Sequence, residues 1–225
     1  MKTGTRRRAR RFLFRMEAAA LLAWGLGAAL PAWGDPLISE VLYDAVGADA
    51  GGVFIELAGP PGHSLVGYRL VGINGANGSL GPVLDLSGAI PEDGVYFVAD
   101  GSGSGSTDFP EADGFADVDF QNGPDSILLL EGERVVDALG YGVFGTGDFF
   151  AGEGAPAPDV APGHSLARVF ADLDRDDNAN DFEVLTVPTP GAANFLAVPE
   201  PNSAWLFVSG LAALGHLAAH RRRLW

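Results

Sequence analysis

An acidic segment near the end of the chain holds the residues best suited to binding a cation. Within residues 172–183, oxygen-bearing side chains occupy positions 1, 3, 5, 7, 9 and 12, which is the spacing of an EF-hand calcium loop. Position 6 of such a loop is glycine, but here it is Asp177, and no helix is predicted on either side. Two interpretations stay open: a calcium site, or a solvated turn whose side chains cap backbone groups. The candidate calcium ligands are Asp172, Asp174, Asp176, Asn178, Asn180 and Glu183.

A repeated pentapeptide contains two histidines that invite a catalytic interpretation. Pro-Gly-His-Ser-Leu occurs at residues 61–65 and again at 162–166, with His63 and His164 beside serines. However, the chain has no Gly-x-Ser-x-Gly turn to expose a nucleophile, and zinc needs three or four converging ligands. Because Pro-Gly favours a tight turn, we expect two similar turns that lead into strands, and no catalytic residues. An unrecognised extracellular hydrolase is the alternative.

The charge balance excludes several classes of partner and cofactor. The chain has 29 acidic and 14 basic residues and no cysteine. Most basic residues lie at the two ends, so residues 35–200 retain four arginines, no lysine and 28 acidic residues. Such a surface repels phosphate backbones, and we expect no nucleic-acid partner. Without cysteine, zinc–thiolate sites and iron–sulfur clusters are excluded. We expect no cofactor, with a calcium ion as the one candidate exception.

The N-terminal residues have the three parts of a secretory signal. A basic head is followed by an apolar stretch from Ala18 to Leu30 and then by the small-residue pattern Ala32-Trp33-Gly34. The apolar stretch is shorter than the roughly 20 residues that span a bilayer. We therefore predict a signal peptide over residues 1–34, cut by signal peptidase after Gly34.

The C-terminal residues form a second three-part pattern. Val198, Pro199, Glu200 and Pro201 precede an apolar run over 204–219, which is predicted to be a transmembrane helix, and the run is followed by Arg221, Arg222 and Arg223. This order resembles the PEP-CTERM sorting signal. The resemblance implies processing of the tail, residues 196–225, by an exosortase-like enzyme. We expect the protein to be exported to the cell envelope, the cell surface or the extracellular space, with transient or permanent membrane anchoring by this helix.

Between the ends, the sequence predicts an all-β sandwich in a single domain, residues 35–195. No sustained 3.6-residue period predicts a long helix, and turn residues separate short apolar runs. Ser39, Glu40 and Glu56 alternate with apolar residues, which predicts strands with one solvent-exposed face. Asn74-Gly75 and Asn122-Gly123 are predicted turns with a positive φ. The predicted strands are 37–43, 53–57, 68–71, 95–98, 126–130, 134–139, 165–170 and 182–187.

The order of several motifs resembles a known family. Leu-Ile-Ser-Glu-Val-Leu-Tyr-Asp at 37–44 and Phe-Ile-Glu-Leu at 54–57 look like the opening of a bacterial lamin-tail domain. Matching elements follow in order at 65–70, 121–130, 135–142, 165–168, 178–182 and 188–194. The resemblance implies an immunoglobulin-like β-sandwich that serves as a binding or scaffold module. We therefore expect a non-catalytic structural or binding module, with exopolysaccharide or surface proteins as candidate partners. A calcium-binding adhesion module is the alternative.

Overall fold

The computed structural model describes residues 34–101 and 107–196 of the chain. The predicted basic head and apolar core of the signal peptide, the motif at 198–201 and the apolar run at 204–219 lie outside these residues. Within the described part, no helix is long and apolar enough to cross a membrane.

Within the described residues, ten short strands and one helical turn make up the fold. Strands of this length, rich in β-branched and aromatic residues and separated by glycine turns, are typical of sandwiches. The elements are β1 (Leu37–Leu42), β2 (Phe54–Ala58), β3 (Tyr68–Asn74), β4 (Leu80–Asp85), β5 (Val95–Asp100), β6 (Gly114–Ala116), β7 (Asp125–Glu131), β8 (Arg134–Tyr141), β9 (Ser165–Arg168), α1 (Asn178–Asp181) and β10 (Phe182–Leu185).

The strands form two sheets that enclose a common apolar core. The six-stranded sheet has the order β10-β9-β1-β2-β5-β6, and the four-stranded sheet has the order β4-β3-β7-β8. Every pairing is antiparallel except that of β5 with β6. Apolar side chains from both sheets meet in one buried cluster, which includes Ile38, Ile55, Leu57, Leu166, Leu70, Ile127, Leu129 and Leu139. The predicted all-β sandwich is confirmed.

All eight predicted strands are present, but the sequence did not predict β4, β6 or α1. β4 contains Gly81 and Pro82, which disfavour a strand, and it lies at the edge of its sheet, where proline is tolerated. β6 has only three residues and pairs with β5 in parallel. Such short elements form through tertiary pairing and leave no periodic signal in the sequence.

The predicted solvent-exposed face of β1 and β2 is buried, so that expectation was wrong. Ser39, Glu40 and Glu56 have at most 3% of their surface exposed. Their cover is residues 188–194, here called the C-terminal strap, which lies across them. Alternation of polar and apolar residues therefore separated the two faces of the strands but did not identify the distant segment that covers the polar face.

One of the two predicted glycine turns has a different physical basis. Gly123 has the expected positive φ of 54°, but in the β3–β4 turn the positive φ of 72° belongs to Gly78. Gly75 is required for another reason: a Cβ there would lie 2.0 Å from the backbone oxygen of Pro124. The close approach of two loops, rather than backbone conformation, therefore selects glycine at this position.

Candidate functional site

The acidic segment does not bring its six predicted calcium ligands together. Asn178, the first residue of α1, is buried, and both the oxygen and the nitrogen of its side-chain amide form hydrogen bonds with the protein. Its Oδ1 accepts hydrogen bonds from the backbone N–H of Gly140 at 2.8 Å and of Glu153 at 2.9 Å, and its Nδ2 donates to the Ala138 carbonyl at 2.8 Å. Asn178 therefore joins α1 to β8 and to the loop that follows β8.

The other predicted ligands also contact protein groups in separate places. Asp172 accepts a hydrogen bond from the Leu196 N–H at 2.8 Å, and Asn180 donates one to Asp177 at 2.6 Å. Glu183 is exposed on β10. The positive φ of the segment, 53°, falls at Asp176 rather than at Asp177. The bonds of Asp172 and Asn178 reach backbone groups 24 or more residues away in sequence. Asp174, by contrast, accepts a local hydrogen bond from the Asp176 N–H at 3.0 Å, as the turn interpretation expects.

Asp174 differs from the others because it lies beside a buried charge cluster centred on Arg168. The Arg168 Nη2 atom is 2.9 Å from both carboxylate oxygens of Asp137, and both side chains are fully buried. The Nη1 atom lies 3.4 Å from Asp174 and 3.4 Å from Asp181. The guanidinium also lies 4.6 Å above the ring of Phe182. A single cation is thus shared by three carboxylates.

The same ion pair connects the two sheets. Arg168 is the last residue of β9 in the six-stranded sheet, and Asp137 is on β8 in the four-stranded sheet. Both also bind the backbone of Ile38: Arg168 Nε donates to its carbonyl at 3.0 Å, and its N–H donates to Asp137 at 2.6 Å. Two charges and one peptide unit therefore tie β1, β8 and β9 to one another.

Glu153 completes a group of carboxylates that could hold a metal ion. Oxygen atoms of Asp137, Glu153 and Asp174 all lie within 4.8 Å of one another. The Glu153 Oε2 atom is buried and has no hydrogen-bond partner among the described residues. Burial raises the pKa of Glu153 to about 8, and the charges of Asp137 and Asp174 add to the rise. Bringing a cation to this group would favour the ionised form of Glu153.

A second pair of buried carboxylates holds the C-terminal strap. Glu40 accepts hydrogen bonds from the N–H of Thr189 at 2.9 Å and from its hydroxyl at 2.7 Å. Glu56 accepts from the N–H of Gly191 at 2.8 Å and from the Ser39 hydroxyl at 2.6 Å. A cavity of about 240 Å³ lies between the strap and the sheet.

Burial changes the ionisation of this second pair. Burial raises the pKa of Glu56 to about 7; the hydrogen bond from Ser39 opposes the rise, and the charge of Glu40 adds to it. Glu56 therefore titrates near neutrality, at a position where its oxygens hold the strap.

The two histidines lie in turns, as predicted. The N–H of His63 donates to the carbonyl of Pro60 at 2.9 Å, and that of His164 donates to Ala161 at 3.0 Å. The glycine before each histidine has a positive φ, 79° in the first turn and 82° in the second. His63 also lies 3.0 Å from the Tyr68 hydroxyl. The group of potential metal ligands within the described residues includes neither histidine.

The sequence alone did not identify Asp137, Arg168 or Glu153 as buried charged residues that lie close together. Asp137 lies within a largely apolar strand, Arg168 is the last residue of another, and the two carry opposite charges. Charged residues of this kind are rarely buried unless they are paired, so their strand positions are a usable signal for a buried ion pair. Glu153 lies in a glycine-rich loop without periodicity, and no comparable signal marks it.

The remaining predicted functional residues concern export. The residues of the sorting motif, Val198–Pro201 and Arg221–Arg223, lie outside the described residues, and Gly34 is an exposed residue at their beginning.

Comparisons with known proteins do not assign the chain to a family. No protein-family model matches it, and neither the curated proteins nor the solved structures include a significant match.

Replacing Glu56 tests whether its buried carboxyl makes stability depend on pH. The pKa of Glu56 is about 7 in the folded protein and 4.5 in the unfolded chain. Between these two pH values, the folded protein keeps the carboxyl proton that the unfolded chain has lost. The free energy of unfolding should therefore fall as pH rises through this window, by about 3 kcal/mol from this residue. In Glu56→Gln, urea unfolding should show a correspondingly smaller fall, whereas the exposed Glu92→Gln should behave like the original chain. An unchanged pH dependence in Glu56→Gln would contradict this assignment.

Breaking the Arg168–Asp137 pair should be far more costly than breaking an exposed pair. Arg168→Met leaves Asp137 buried without its cation, and we expect a loss of about 3–5 kcal/mol in urea unfolding. The control is Arg69→Met, which removes a surface pair with Asp85 and should cost less than about 1 kcal/mol. The double variant Arg168→Met with Asp137→Leu should recover part of the loss, because no unpaired charge remains buried. Equal losses for Arg168→Met and Arg69→Met would refute the role of the buried pair.

Proposed function

We propose that this protein is an exported, non-catalytic structural or binding module of the cell surface, with an immunoglobulin-like sandwich of the lamin-tail type. Its C-terminal tail is a PEP-CTERM signal that an exosortase-like enzyme processes. The module is delivered through the signal peptide and is held at the membrane, at least transiently, by the apolar run of the tail.

The observation that carries this proposal is the attachment of the C-terminal strap. The chain leaves the sandwich only after Thr189 and Gly191 have been bound by two buried carboxylates. Further bonds follow at the end of the strap, where Asn194 accepts from the Ala171 N–H at 2.7 Å and donates to Val169 at 2.7 Å. The sorting motif begins four residues later, at Val198.

This attachment suits a domain that is held through its C-terminus. A pull from a membrane-bound tail first reaches the bonds of Leu196 and Asn194 to the segment after β9. Behind them, the strap is bonded to β1 and β2 in the interior of the six-stranded sheet. The load is therefore shared by paired strands.

The engagement of the carboxylates supports a non-catalytic role. The oxygens of Glu40 and Glu56 accept hydrogen bonds from Thr189, Gly191 and serine hydroxyls, including Ser165 at 2.6 Å. A general base needs a lone pair directed at a substrate proton. Here the oxygens of Glu40 and Glu56 are directed at the protein's own donors.

Surface delivery tests the proposal. The full chain is expressed in a bacterium that has an exosortase-like enzyme, and its C-terminus and surface exposure are measured by mass spectrometry and surface labelling. We expect a shortened C-terminus and surface labelling, whereas Glu200→Ala with Pro201→Ala should retain the full tail. Glu92→Gln, an exposed change in the sandwich, serves as the control. Retention of the unchanged chain in the cytoplasm would refute export, and equal processing of all variants would refute the sorting motif.

A calcium-binding adhesion module is the second candidate, and it is favoured by the carboxylates of Asp137, Glu153 and Asp174. Three carboxylates within 4.8 Å are hard oxygen ligands of the kind that calcium prefers. Because Arg168 already supplies one positive charge to this cluster, a bound calcium ion must compete with it.

Thermal unfolding in calcium and in chelator tests this candidate. Calcium at about 100 times its dissociation constant should stabilise the chain by about 2.7 kcal/mol, which raises Tm by several degrees. Glu153→Gln should abolish the shift, whereas Glu183→Gln should retain it. A shift lost only in Glu183→Gln would place calcium in the EF-hand-like spacing instead. The absence of any shift in the original chain would rule out the calcium-binding candidate.

A further inference from the structure

A groove lies at one end of the four-stranded sheet. β3 ends at Asn74 and β7 begins at Asp125, and these two residues are paired across the ladder. The groove has a volume of about 300 Å³ and is lined by Asn74, Gln121, Asn122, Pro124 and Asp125, among others.

The lining is rich in amide side chains with free hydrogen-bonding groups. Asn74 donates to the Gln121 Oε1 atom at 2.6 Å and accepts from the Ala76 N–H at 2.9 Å. These bonds orient the Gln121 side chain. In residues 34–101 and 107–196, no protein group binds the Gln121 Nε2 atom or the side-chain amide of Asn122, and both residues are exposed. The groove therefore presents donors and acceptors side by side.

Aromatic rings pack against the same β3–β4 turn. The loop after β8, residues 142–152, is attached to this turn by a hydrogen bond of 2.6 Å from the Phe149 N–H to the Gly75 carbonyl. A Cβ at Gly75 would lie 2.9 Å from the Phe144 ring, and one at Gly78 would lie 3.1 Å from the Phe149 ring. Phe149 is still 52% exposed, and Val143 is 80% exposed. The turn that borders the amide-lined groove therefore also contacts an exposed aromatic ring.

Amides beside an exposed aromatic ring match the chemistry of a sugar. Sugar hydroxyls donate and accept hydrogen bonds, as amides do, and the C–H face of a pyranose packs against an aromatic ring. The named groove residues include one ionisable group, Asp125, which is buried and accepts the Gly75 N–H at 2.7 Å. Because residues 35–200 hold 28 acidic residues and four arginines, anionic polymers are repelled.

We propose that this groove binds a neutral polysaccharide, with Gln121 and Asn122 hydrogen-bonding to sugar hydroxyls and Phe149 packing against a sugar ring. The inference rests on the proposed function, because it names the ligand class of the binding module.

Affinity electrophoresis of the full chain in mild detergent tests the groove. The gels contain dextran, mannan or galactan as neutral probes and alginate as the anionic probe. We expect retardation by at least one neutral polymer and none by alginate. Phe149→Ala and Gln121→Glu should each weaken binding about tenfold or more. Gln121→Glu removes the Nε2 donor but retains an oxygen that accepts from Asn74.

The matched control is Phe115→Ala on β6, because Phe115 is 54% exposed and belongs to the other sheet. It should bind like the original chain. No retardation by any neutral polymer, retardation by alginate alone, or equal binding by all variants would overturn the proposal. If the chain is delivered to the surface but binds no polysaccharide, the proposed binding role of the groove is refuted and the proposed function stands. If the chain binds polysaccharide but is not exported, the proposed delivery route is refuted and the binding role of the groove stands.

Discussion

The buried pair of Arg168 and Asp137 is the interaction on which the arrangement of the two sheets depends. Removing both charges from water is costly, and that cost is offset only when their hydrogen-bonding groups are satisfied. Here they are satisfied by each other, by the backbone of Ile38, and by Asp174 and Asp181. The geometry of the pair therefore constrains β1, β8, β9 and the acidic segment together. Burying it in any other register would leave charged groups unpaired.

Scarcity of cations explains how the other buried carboxylates are held. The sandwich has four arginines and no lysine. Arg69 and Arg134 form surface pairs, and Arg168 and Arg175 bind the acidic segment. Glu40 and Glu56 are stabilised instead by hydroxyl and backbone N–H groups, some of which the C-terminal strap brings to them. Neutral donors compensate a buried charge less fully than a cation does, which is consistent with the raised pKa of Glu56.

The acidic segment illustrates the limit of arguments from spacing. Its oxygens recur at the EF-hand positions, yet Asn178 is directed into the sandwich and binds Gly140, while Glu183 is exposed on a strand. In an EF-hand, such spacing converges because the glycine turn and the flanking helices curl the chain around an ion. Here α1 is a single turn and β10 starts directly after it, so successive side chains diverge. Of the six residues, Asp174 joins the carboxylate group, and its partners there, Asp137 and Glu153, come from β8 and the loop after it.

The sequence alone determined eight of the ten described strands and the sandwich, because the alternation of side chains and the turn residues that reveal strands are local properties of the chain. It also determined the acidic character of the surface and the absence of thiol chemistry, which follow from composition. Only the tertiary structure decided which carboxylates are buried and what they bind. Asp137 binds Ile38, 99 residues away in sequence, and Glu56 binds Gly191, 135 residues away. The ionisation of a carboxyl group depends on burial and neighbouring charges, and segments far apart in sequence supply both only after the chain has folded.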